Sequence, residues 1–404
     1  MVEDKIVLAY SGGLDTSVAI RWLKEKYSAD IVTATVDVGQ GGDMAAIERK
    51  AKATGAVKHY SIDAKNEFIE NYVFPSVKAN ALYGGKYPLS TALGRPLIAT
   101  KLVEVARRED ASIVAHGCSG RGNDQVRFDV TIKTLAPDMK ILAPIRDWNL
   151  ARSEEIQYAK KHGIPVPVTV ESPYSIDKSL WGRSIECGIL EDPLMEPPEE
   201  AFEWTSSIEK APPEPAVVSL EFVEGVPVAV DDERLEPVTL VSRLNEIAGR
   251  HGVGRIDHIE DRLVGIKSRE IYECPAAAVI LEAHKDLEKA VLTRLELAFK
   301  ERVDAEWTFL VYAGLWMDPL REDLEGFIDM TQKRVNGKVK IKLNKGSLRV
   351  VGRASPDSLY DKGLASYNLE GTFDQRWSEG FIQVWGMPTR KARNVRTRMG
   401  RFSN

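Results

Sequence analysis

Cysteine is scarce in this sequence, and the positions of the few cysteines exclude two common types of small domain. The chain has three cysteines, Cys118, Cys187 and Cys274, and no two of them form a CxxC pair. A disulfide framework needs more cysteines, and a zinc finger or a redox motif needs closer ones. The six histidines show no metal-ligand spacing either. We therefore expect a reducing, cytoplasmic setting.

Long apolar runs and an excess of basic residues are also missing. No apolar stretch approaches the roughly 18 residues of a membrane-spanning helix. The N-terminus lacks the basic start and apolar core of a signal peptide. The net charge of -5 gives no general attraction to nucleic acid or to an anionic membrane. We therefore expect no nucleic acid and no membrane as a partner.

What the first half of the chain does have is an alternation of short apolar runs and amphipathic segments. This pattern predicts strands over 6–9, 31–37, 58–62 and 112–115, and helices over 16–27, 44–54, 97–108 and 153–162. Strands that alternate with helices favour a parallel sheet covered on both faces. We predict an α/β fold class, with a nucleotide-binding domain over residues 1–168.

The pattern changes after prolines at positions 165, 167 and 173. We predict an extended surface connection over 196–215, which carries five prolines and six glutamates. The later segments predict an antiparallel strand pair over 217–222 and 226–230, helices over 240–248 and 275–298, and a hairpin over 339–343 and 347–351. We predict an α+β domain over residues 169–370, followed by a C-terminal arm over 371–404.

The end of that arm has an unusual charge. Residues 386–404 include six basic side chains and no acidic one. The segment could be a frayed, solvated terminus, or an arm that docks on an acidic neighbouring subunit. Nucleic acid is a weaker explanation, because a basic tail alone is a poor signal.

The strongest chemical motif is the loop Ser11-Gly12-Gly13-Leu14-Asp15-Thr16-Ser17, between the first predicted strand and helix. Glycines allow close backbone approach, the hydroxyls can donate, and the helix N-terminus points its N–H groups at the same place, so the loop predicts a phosphate site. The spacing is neither GxxxxGK[ST] nor GxGxxG. Asp15 is unexpected beside phosphate unless magnesium lies between them. The alternative is an ordinary glycine turn before a helix.

A second glycine-rich loop, residues 116–125, follows the strand predicted over 112–115. Asn123 and Asp124 suit either helix capping or recognition of a polar ligand. Arg127, one turn into the next helix, could hold a carboxylate. Because ligands bind at the carboxyl ends of strands in open parallel sheets, two such loops favour a shared site.

These segments resemble the argininosuccinate synthases. The resemblance is carried by residues 8–17, 117–128, 172–177, 188–191, 259–262 and 267–273, and it extends from the first strand to about residue 385. SGGxD alone is shared by all ATP pyrophosphatases of this type, whereas the later blocks narrow the resemblance to one family. It implies condensation of citrulline with aspartate through a citrullyl-AMP intermediate, with release of AMP and pyrophosphate. It also implies magnesium, a nucleotide α-hydrolase-like first domain, a synthetase and multimerisation second domain, and a homotetramer.

The resemblance also implies the residues that bind each substrate. ATP would lie against Ala9, Tyr10, Ser11, Gly12, Gly13, Leu14, Asp15, Thr16, Ser17, Val36 and Gly117. Aspartate would be held by Ser119, Asn123 and Asp124. Citrulline would be held by Tyr87, Thr91, Asn123, Arg127, Ser175, Ser184, Glu260 and Tyr272, with Arg127 on its carboxylate and Glu260 on its α-amino group. Asp15 would face magnesium, and Asp15 and Asp124 would be the catalytic residues.

Three departures from the family pattern stand out. Ser119 replaces the usual Thr, Ala92 replaces a Ser that contacts citrulline in some members, and the tail is richer in arginine. The rival interpretations are another ATP pyrophosphatase and a nucleotide-binding sensor without turnover. An amidating enzyme often has a glutaminase cysteine near its N-terminus, but the first cysteine here is Cys118. A tRNA-modifying enzyme usually has a basic surface or paired cysteines, and the sequence has neither.

Overall fold

The computed structural model describes residues 5–148, 152–164, 174–368 and 371–398. The prolines at 165, 167 and 173 and the last residues of the basic tail lie outside this part. The chain divides into two compact units after Asp357. The three predicted domain boundaries remain predictions.

The first sheet contains five parallel strands in the order β3-β2-β1-β4-β5. Its strands are β1 Lys5–Ala9, β2 Asp30–Asp37, β3 Lys58–Asp63, β4 Ile113–Ala115 and β5 Lys140–Leu142. The helices of this part are α1 Leu14–Tyr27, α2 Met44–Thr54, α3 Lys65–Phe68, α4 Phe74–Lys78, α5 Ser90–Arg108, α6 Asp124–Leu135, α7 Pro144–Trp148 and α8 Arg152–Lys161, with one π-helical turn at Ile69–Val73. The prediction of an α/β class with a parallel sheet is confirmed.

Alternate residues of β1 belong to different hydrophobic cores. Ile6 and Leu8 pack in one cluster with residues of α1, and Val7 packs in another with residues of α5 and α6. Successive side chains of a strand point to opposite faces, so helices cover this sheet on both sides. The strand order reverses between β1 and β4, and a crevice opens there at the strands' carboxyl ends.

Two antiparallel sheets follow. The four-stranded sheet has the order β11-β12-β7-β6, and the second five-stranded sheet has the order β10-β9-β8-β13-β14. Their strands are β6 Ser175–Ser179, β7 Gly182–Glu186, β8 Ala216–Val223, β9 Val226–Val230, β10 Glu233–Arg234, β11 Arg255–Asp261, β12 Lys267–Glu273, β13 Gly337–Asn344 and β14 Ser347–Ala354. The helices here are α9 Pro237–Arg250, α10 Pro275–Val291, α11 Arg294–Tyr312 and α12 Pro319–Gln332, with 3-10 turns at Gly188–Glu191 and Glu199–Ala201.

Three sequence-based predictions differ from this structure. The helix predicted over 275–298 is two helices, because Thr293 caps the second with its side chain and Glu296 returns the bond in a capping box. The helix predicted from residue 97 begins at Ser90, since Pro96 is accommodated inside it. The connection over 196–215 is partly buried rather than a surface segment, and Thr205 there donates two hydrogen bonds to the buried carboxylate of Glu273.

The second compact unit begins at Ser358, and its described residues form the helices α13 Lys362–Ala365, α14 Trp377–Trp385 and α15 Met387–Arg398. The basic segment is therefore helical over 387–398 and not frayed there. Apolar side chains of α14 are exposed, among them Phe381 and Trp385, whose rings stack 5.4 Å apart. No helix in the described part of the chain is both long enough and apolar enough to span a bilayer.

Candidate active site

A cavity of about 910 Å³ opens at the carboxyl ends of β1 and β4 and extends to the four-stranded sheet. All the site residues predicted from the sequence line it except Gly12 and Ser17. The lining residues are Ala9, Tyr10, Ser11, Gly13, Leu14, Asp15, Thr16, Val36, Tyr87, Thr91, Gly117, Ser119, Asn123, Asp124, Arg127, Ser175, Ser184, Glu260 and Tyr272, among others. The structure thus gathers side chains from two loops of the parallel sheet and from a separate antiparallel sheet.

The loop after β1 leads directly into the N-terminus of α1. Gly12 has φ +78°, a conformation that favours glycine. The Ser11 and Thr16 hydroxyls lie 3.1 Å apart and face the cavity. Ser17 is fully buried, and its hydroxyl donates to the carbonyl of Gly13 at 2.6 Å, so it is not the free donor that the sequence suggested. The first backbone N–H groups of α1 lack partners within the helix and suit an anion.

The loop after β4 packs closely against the first loop. A Cβ atom on Gly117 would lie 2.9 Å from Cγ2 of Thr16, which is closer than real Cβ contacts. Glycine at position 117 therefore lets the two loops meet. Next to it, His116 hydrogen bonds to Asp129 at 2.8 Å and accepts from the N–H of Cys118 at 3.2 Å.

Asp124 lies between two arginines. Arg95 Nε donates to one carboxylate oxygen at 2.9 Å, and Arg127 Nη1 donates to the other at 3.0 Å. Burial acts to raise the pKa of Asp124, but the charges of Arg95 and Arg127 outweigh it and lower the pKa. Arg95 also forms an ion pair with Asp177. The cavity therefore contains a fixed carboxylate with its hydrogen-bond partners in place.

Asn123 joins the second loop to later parts of the chain. Its amide donates to the Tyr312 hydroxyl at 2.9 Å, and its carbonyl accepts from the N–H of Leu263 at 2.8 Å. Its side chain makes no capping bond to α6, so capping alone does not explain it. The Tyr312 hydroxyl donates to Glu260 at 2.8 Å, and Tyr272 donates to the other oxygen of the same carboxylate.

The rings of Tyr87 and Tyr272 form one wall of the cavity. Tyr87 stacks on Tyr272 with centroids 4.3 Å apart, and Tyr83 stacks on Tyr312. The Tyr87 hydroxyl accepts from the N–H of Thr91 at 2.9 Å, which fixes the start of α5. Burial raises the pKa of the Tyr87 hydroxyl to about 12, so it remains protonated.

One face of the four-stranded sheet supplies the remaining polar groups. Ser184 on β7 is opposite both Asp177 on β6 and Tyr272 on β12, because the strands are antiparallel and in register there. Alternate residues of a strand share a face, so the positions two residues away point the same way. The cavity-lining side chains of this face are Ser175, Asp177, Ser184, Glu186, Glu260, Glu270 and Tyr272.

Several cavity residues received no role from the sequence. They are Arg95, Asp177, Glu186, Arg262, Glu270 and Gln40. Tyr312 was also missed, although its hydroxyl hydrogen bonds to the lining residues Asn123 and Glu260. Gln40 donates to the carbonyl of Val36 at 2.9 Å and accepts from the N–H of Val38 at 2.8 Å. The alternation of polar side chains with isoleucine at 184–186 and 270–272 was a usable signal, since it places the polar side chains on one strand face.

Asp15 is the only residue that the sequence predicts to face a metal ion. It lies in the first turn of α1 and lines the cavity. In the described ranges, no three His, Cys, Asp or Glu side chains are grouped so as to hold a metal ion. A single carboxylate suits magnesium, which usually keeps several waters and binds through one or two carboxylates and substrate phosphates. The site therefore fits a magnesium ion that arrives with a nucleotide.

Comparisons with known proteins show the family to which the chain belongs. Residues 5–165 match the family model described as the arginosuccinate synthase N-terminal HUP domain, and residues 174–392 match the arginosuccinate synthase C-terminal domain. The chain belongs to the argininosuccinate synthase family. The argininosuccinate synthase of Pyrococcus furiosus is 59% identical over 391 residues, which cover 97% of this chain and 95% of the relative. Those of Rubrobacter xylanophilus and a Dehalococcoides mccartyi strain are 56% and 54% identical, each over 96% of this chain and 94% and 95% of the relative.

Two departures from the argininosuccinate synthase pattern can be placed in the structure. Ser119 lines the cavity, where its hydroxyl is retained. Ala92 is buried, and its N–H donates to the Tyr87 hydroxyl at 3.3 Å. The backbone at position 92 therefore helps to hold Tyr87 without any side-chain hydroxyl.

Proposed function

We propose that this chain condenses L-citrulline with L-aspartate, using ATP, to form argininosuccinate, AMP and pyrophosphate. The main support for this proposal is one cavity, lined both by the loop after β1 and by the face of the four-stranded sheet that is rich in carboxylates and hydroxyls. Family membership over nearly the whole chain supports the same reaction. The rival functions are another ATP pyrophosphatase and a nucleotide sensor without turnover. Neither rival accounts for the polar face of the four-stranded sheet.

ATP is proposed to lie along residues 9–17, Val36 and Gly117. The helix N-terminus and the loop hydroxyls suit its phosphates. Asp15 would hold magnesium through phosphate or water, and the bound ion would neutralise phosphate charge. The main contribution of these residues would be to hold ATP in the correct position, and they would form no covalent bond with it.

Aspartate is proposed to contact Ser119, Asn123 and Asp124. Citrulline is proposed to lie on the antiparallel face and the aromatic wall, with contacts to Tyr87, Thr91, Asn123, Arg127, Ser175, Ser184, Glu260 and Tyr272. Glu260 would face the α-ammonium group of citrulline. Burial raises the pKa of Glu260, but hydrogen bonds from Tyr272 and Tyr312 favour the carboxylate form.

The mechanism follows from the chemistry of a urea. A neutral ureido carbon is a poor electrophile, so the ureido oxygen first attacks the α-phosphorus of ATP and pyrophosphate leaves. The amine of aspartate then attacks the activated carbon and AMP leaves. The protein has to align three substrates and to stabilise charge where it develops. Asp15 would act in the first step, beside the nucleotide. Asp124 would act in the second step, beside aspartate.

Citrulline labelled with 18O in the ureido group tests this proposal. With ATP and aspartate, the label is expected in AMP, because the ureido oxygen becomes a phosphate oxygen. Release of pyrophosphate with unlabelled AMP would show that the adenylylation route is wrong. A reaction without citrulline controls for simple ATP hydrolysis.

We also propose a homotetramer and a cytoplasmic location. Exposed apolar residues on α14 and the basic α15 support contact with other subunits. Cys118, Cys187 and Cys274 are free thiols, which suits a reducing compartment.

A further inference from the structure

Two carboxylates face each other inside the cavity and have no part in the substrate contacts proposed above. Ile185 on β7 pairs with Ile271 on β12, so the next pair along the antiparallel register is Glu186 with Glu270. Both side chains line the cavity. Like charges directly opposite each other on neighbouring strands are destabilising, so this pair is an unfavourable arrangement for the fold alone.

One arginine holds the pair together. Arg262 Nη2 lies 2.8 Å from Glu186 Oε2 and 2.8 Å from Glu270 Oε1. The Ser268 hydroxyl also donates to Glu270 at 2.7 Å. Glu270 therefore has two donors, and Glu186 shares one of them. When two carboxylates share a single cation, one of them is the better proton acceptor.

Several neighbouring groups shift the pKa of Glu186. Burial is the largest influence on its pKa, followed by the repulsion of Glu270, and both raise it. Arg262 acts in the opposite direction, and Asp124 on α6 raises the pKa further. The neighbouring Cys187 thiol has a raised pKa and is uncharged at neutral pH. Together these groups bring the pKa of Glu186 to about 7.

The cluster also adjoins the loop that is proposed to bind aspartate. Arg262 Nη1 donates to the carbonyl of Arg121 at 3.4 Å. The next residue, Leu263, donates its N–H to the Asn123 side chain at 2.8 Å. The segment just after β11 is therefore tied at two points to the loop that precedes α6.

The proposed reaction requires a base at this place. The α-amino group of aspartate enters as an ammonium ion, which has no lone pair for attack on carbon. It must lose a proton before the C–N bond can form. A general base works best when its pKa is close to the operating pH.

We propose that Glu186 is the general base that takes a proton from the α-ammonium group of aspartate, an inference that rests on the proposed function. The proton moves from nitrogen to a Glu186 carboxylate oxygen. The freed lone pair forms the C–N bond to the activated ureido carbon, the C–O bond to the phosphate breaks, and its electron pair leaves with AMP. Glu270 and Arg262 position Glu186.

Glu186→Gln separates this role from the first half of the reaction. Citrulline-dependent exchange of pyrophosphate into ATP needs no aspartate, so it is expected to stay within about twofold of wild type. Argininosuccinate formation is expected to fall by about 10²-fold or more, as for loss of a general base. Glu191→Gln, an exposed glutamate nearby, is the matched control and is expected to keep both rates.

The pH dependence gives a second readout that a purely structural role would not produce. In the wild type, kcat/KM for aspartate is expected to rise through pH about 7 as Glu186 loses its proton. Glu270→Gln removes the repulsion, so this rise is expected at lower pH. Glu186→Asp keeps a carboxylate and is expected to retain the rise, even if Glu186→Gln does not fold.

The outcomes are distinguishable. An unchanged synthesis rate in Glu186→Gln overturns the inference, as does an equal loss of exchange and synthesis. A Glu270→Gln profile that does not move also contradicts it. If the wild-type protein shows neither exchange nor synthesis, the proposed function itself fails.

Discussion

Arg95 on α5 and Asp124 on α6 form an ion pair that joins the two helices across the cavity, with Arg95 Nε 2.9 Å from the carboxylate. Arg127 binds the other oxygen of Asp124, and Arg95 also reaches Asp177 on the antiparallel sheet. One guanidinium group therefore ties α5 both to α6 and to β6 of the antiparallel sheet. A change at any of these residues is expected to affect how the substrates are aligned.

Asp124→Ala is expected to impair the use of aspartate far more than the use of citrulline. The carboxylate is proposed to contact aspartate, whereas citrulline lies mainly on the other wall. We expect the KM for aspartate to rise by about tenfold or more, with the KM for citrulline changed by less than about threefold. Steady-state kinetics with each substrate varied in turn measure this. Asp138→Ala, at an exposed position, is the control. Equal losses for both substrates would show that the assignment is wrong.

Arg95→Lys is expected to lower kcat/KM by about tenfold or more, because a single ammonium cannot reproduce the planar fork that meets two carboxylates. Arg95→Gln should be worse, since the half-buried carboxylates of Asp124 and Asp177 then lose this cation. Initial rates and thermal unfolding of both variants are the measurements. Arg108→Lys at the exposed end of the same helix is expected to behave like wild type. Full activity in Arg95→Lys would mean that the paired geometry is unimportant.

Residue patterns alone pointed to the loops of the parallel half of the candidate site, whereas the antiparallel half was predicted only through the family resemblance. The loops at Ser11–Ser17 and 116–125 are local features, so glycine spacing after a buried strand is enough to identify them. Ser184, Glu260 and Tyr272 meet only through cross-strand register, and their assignment came from the family resemblance. Tyr312 was missed because a buried tyrosine at the end of a helix has no distinctive sequence pattern.

Helix boundaries were the other weak point, and the break between α10 and α11 can be tested. Thr293→Ala removes the capping oxygen that accepts from the N–H of Glu296. We expect the free energy of unfolding to fall by about 1 kcal/mol, the usual cost of losing such a cap. Glu301→Ala, exposed on the same helix, should change it by less than about 0.5 kcal/mol. Urea unfolding measures both, and an unchanged Thr293→Ala protein would mean that the cap contributes little.

Glu109 gives a prediction about acid stability. Lys58 and Tyr60 donate to its carboxylate, and Lys5 forms an ion pair with it. Hydrogen bonds from Lys58 and Tyr60 are the main reasons that its pKa falls from 4.5 to about 2. A depressed carboxyl pKa contributes stability above the unfolded value, and this is lost as pH falls from 4.5 towards 2.

Glu109→Gln is therefore expected to reduce the free energy of unfolding by about 2 kcal/mol near neutral pH, since hydrogen bonds to charged groups are lost. The difference from wild type should shrink as pH falls below 4.5. Urea unfolding at several pH values measures it, with Glu104→Gln, on the exposed side of α5, as the control. A difference that stays constant with pH would mean that the charge of Glu109 is not responsible.

Removal of residues 386–404 tests the role of the basic tail. The segment forms helix α15 over Met387–Arg398, follows the exposed apolar side chains of α14, and includes six basic side chains. A helix with this charge suits an acidic neighbouring surface, so we expect truncation after Trp385 to reduce the tetramer in sedimentation velocity runs.

A full-length variant with Arg390, Lys391 and Arg396 changed to Gln keeps the helix and removes charge. If charge is the attraction, this variant should form less tetramer than the wild type, and added salt should weaken the wild-type tetramer more than that of the variant. A tetramer that is unchanged in both variants would return the segment to the interpretation of a solvated terminus.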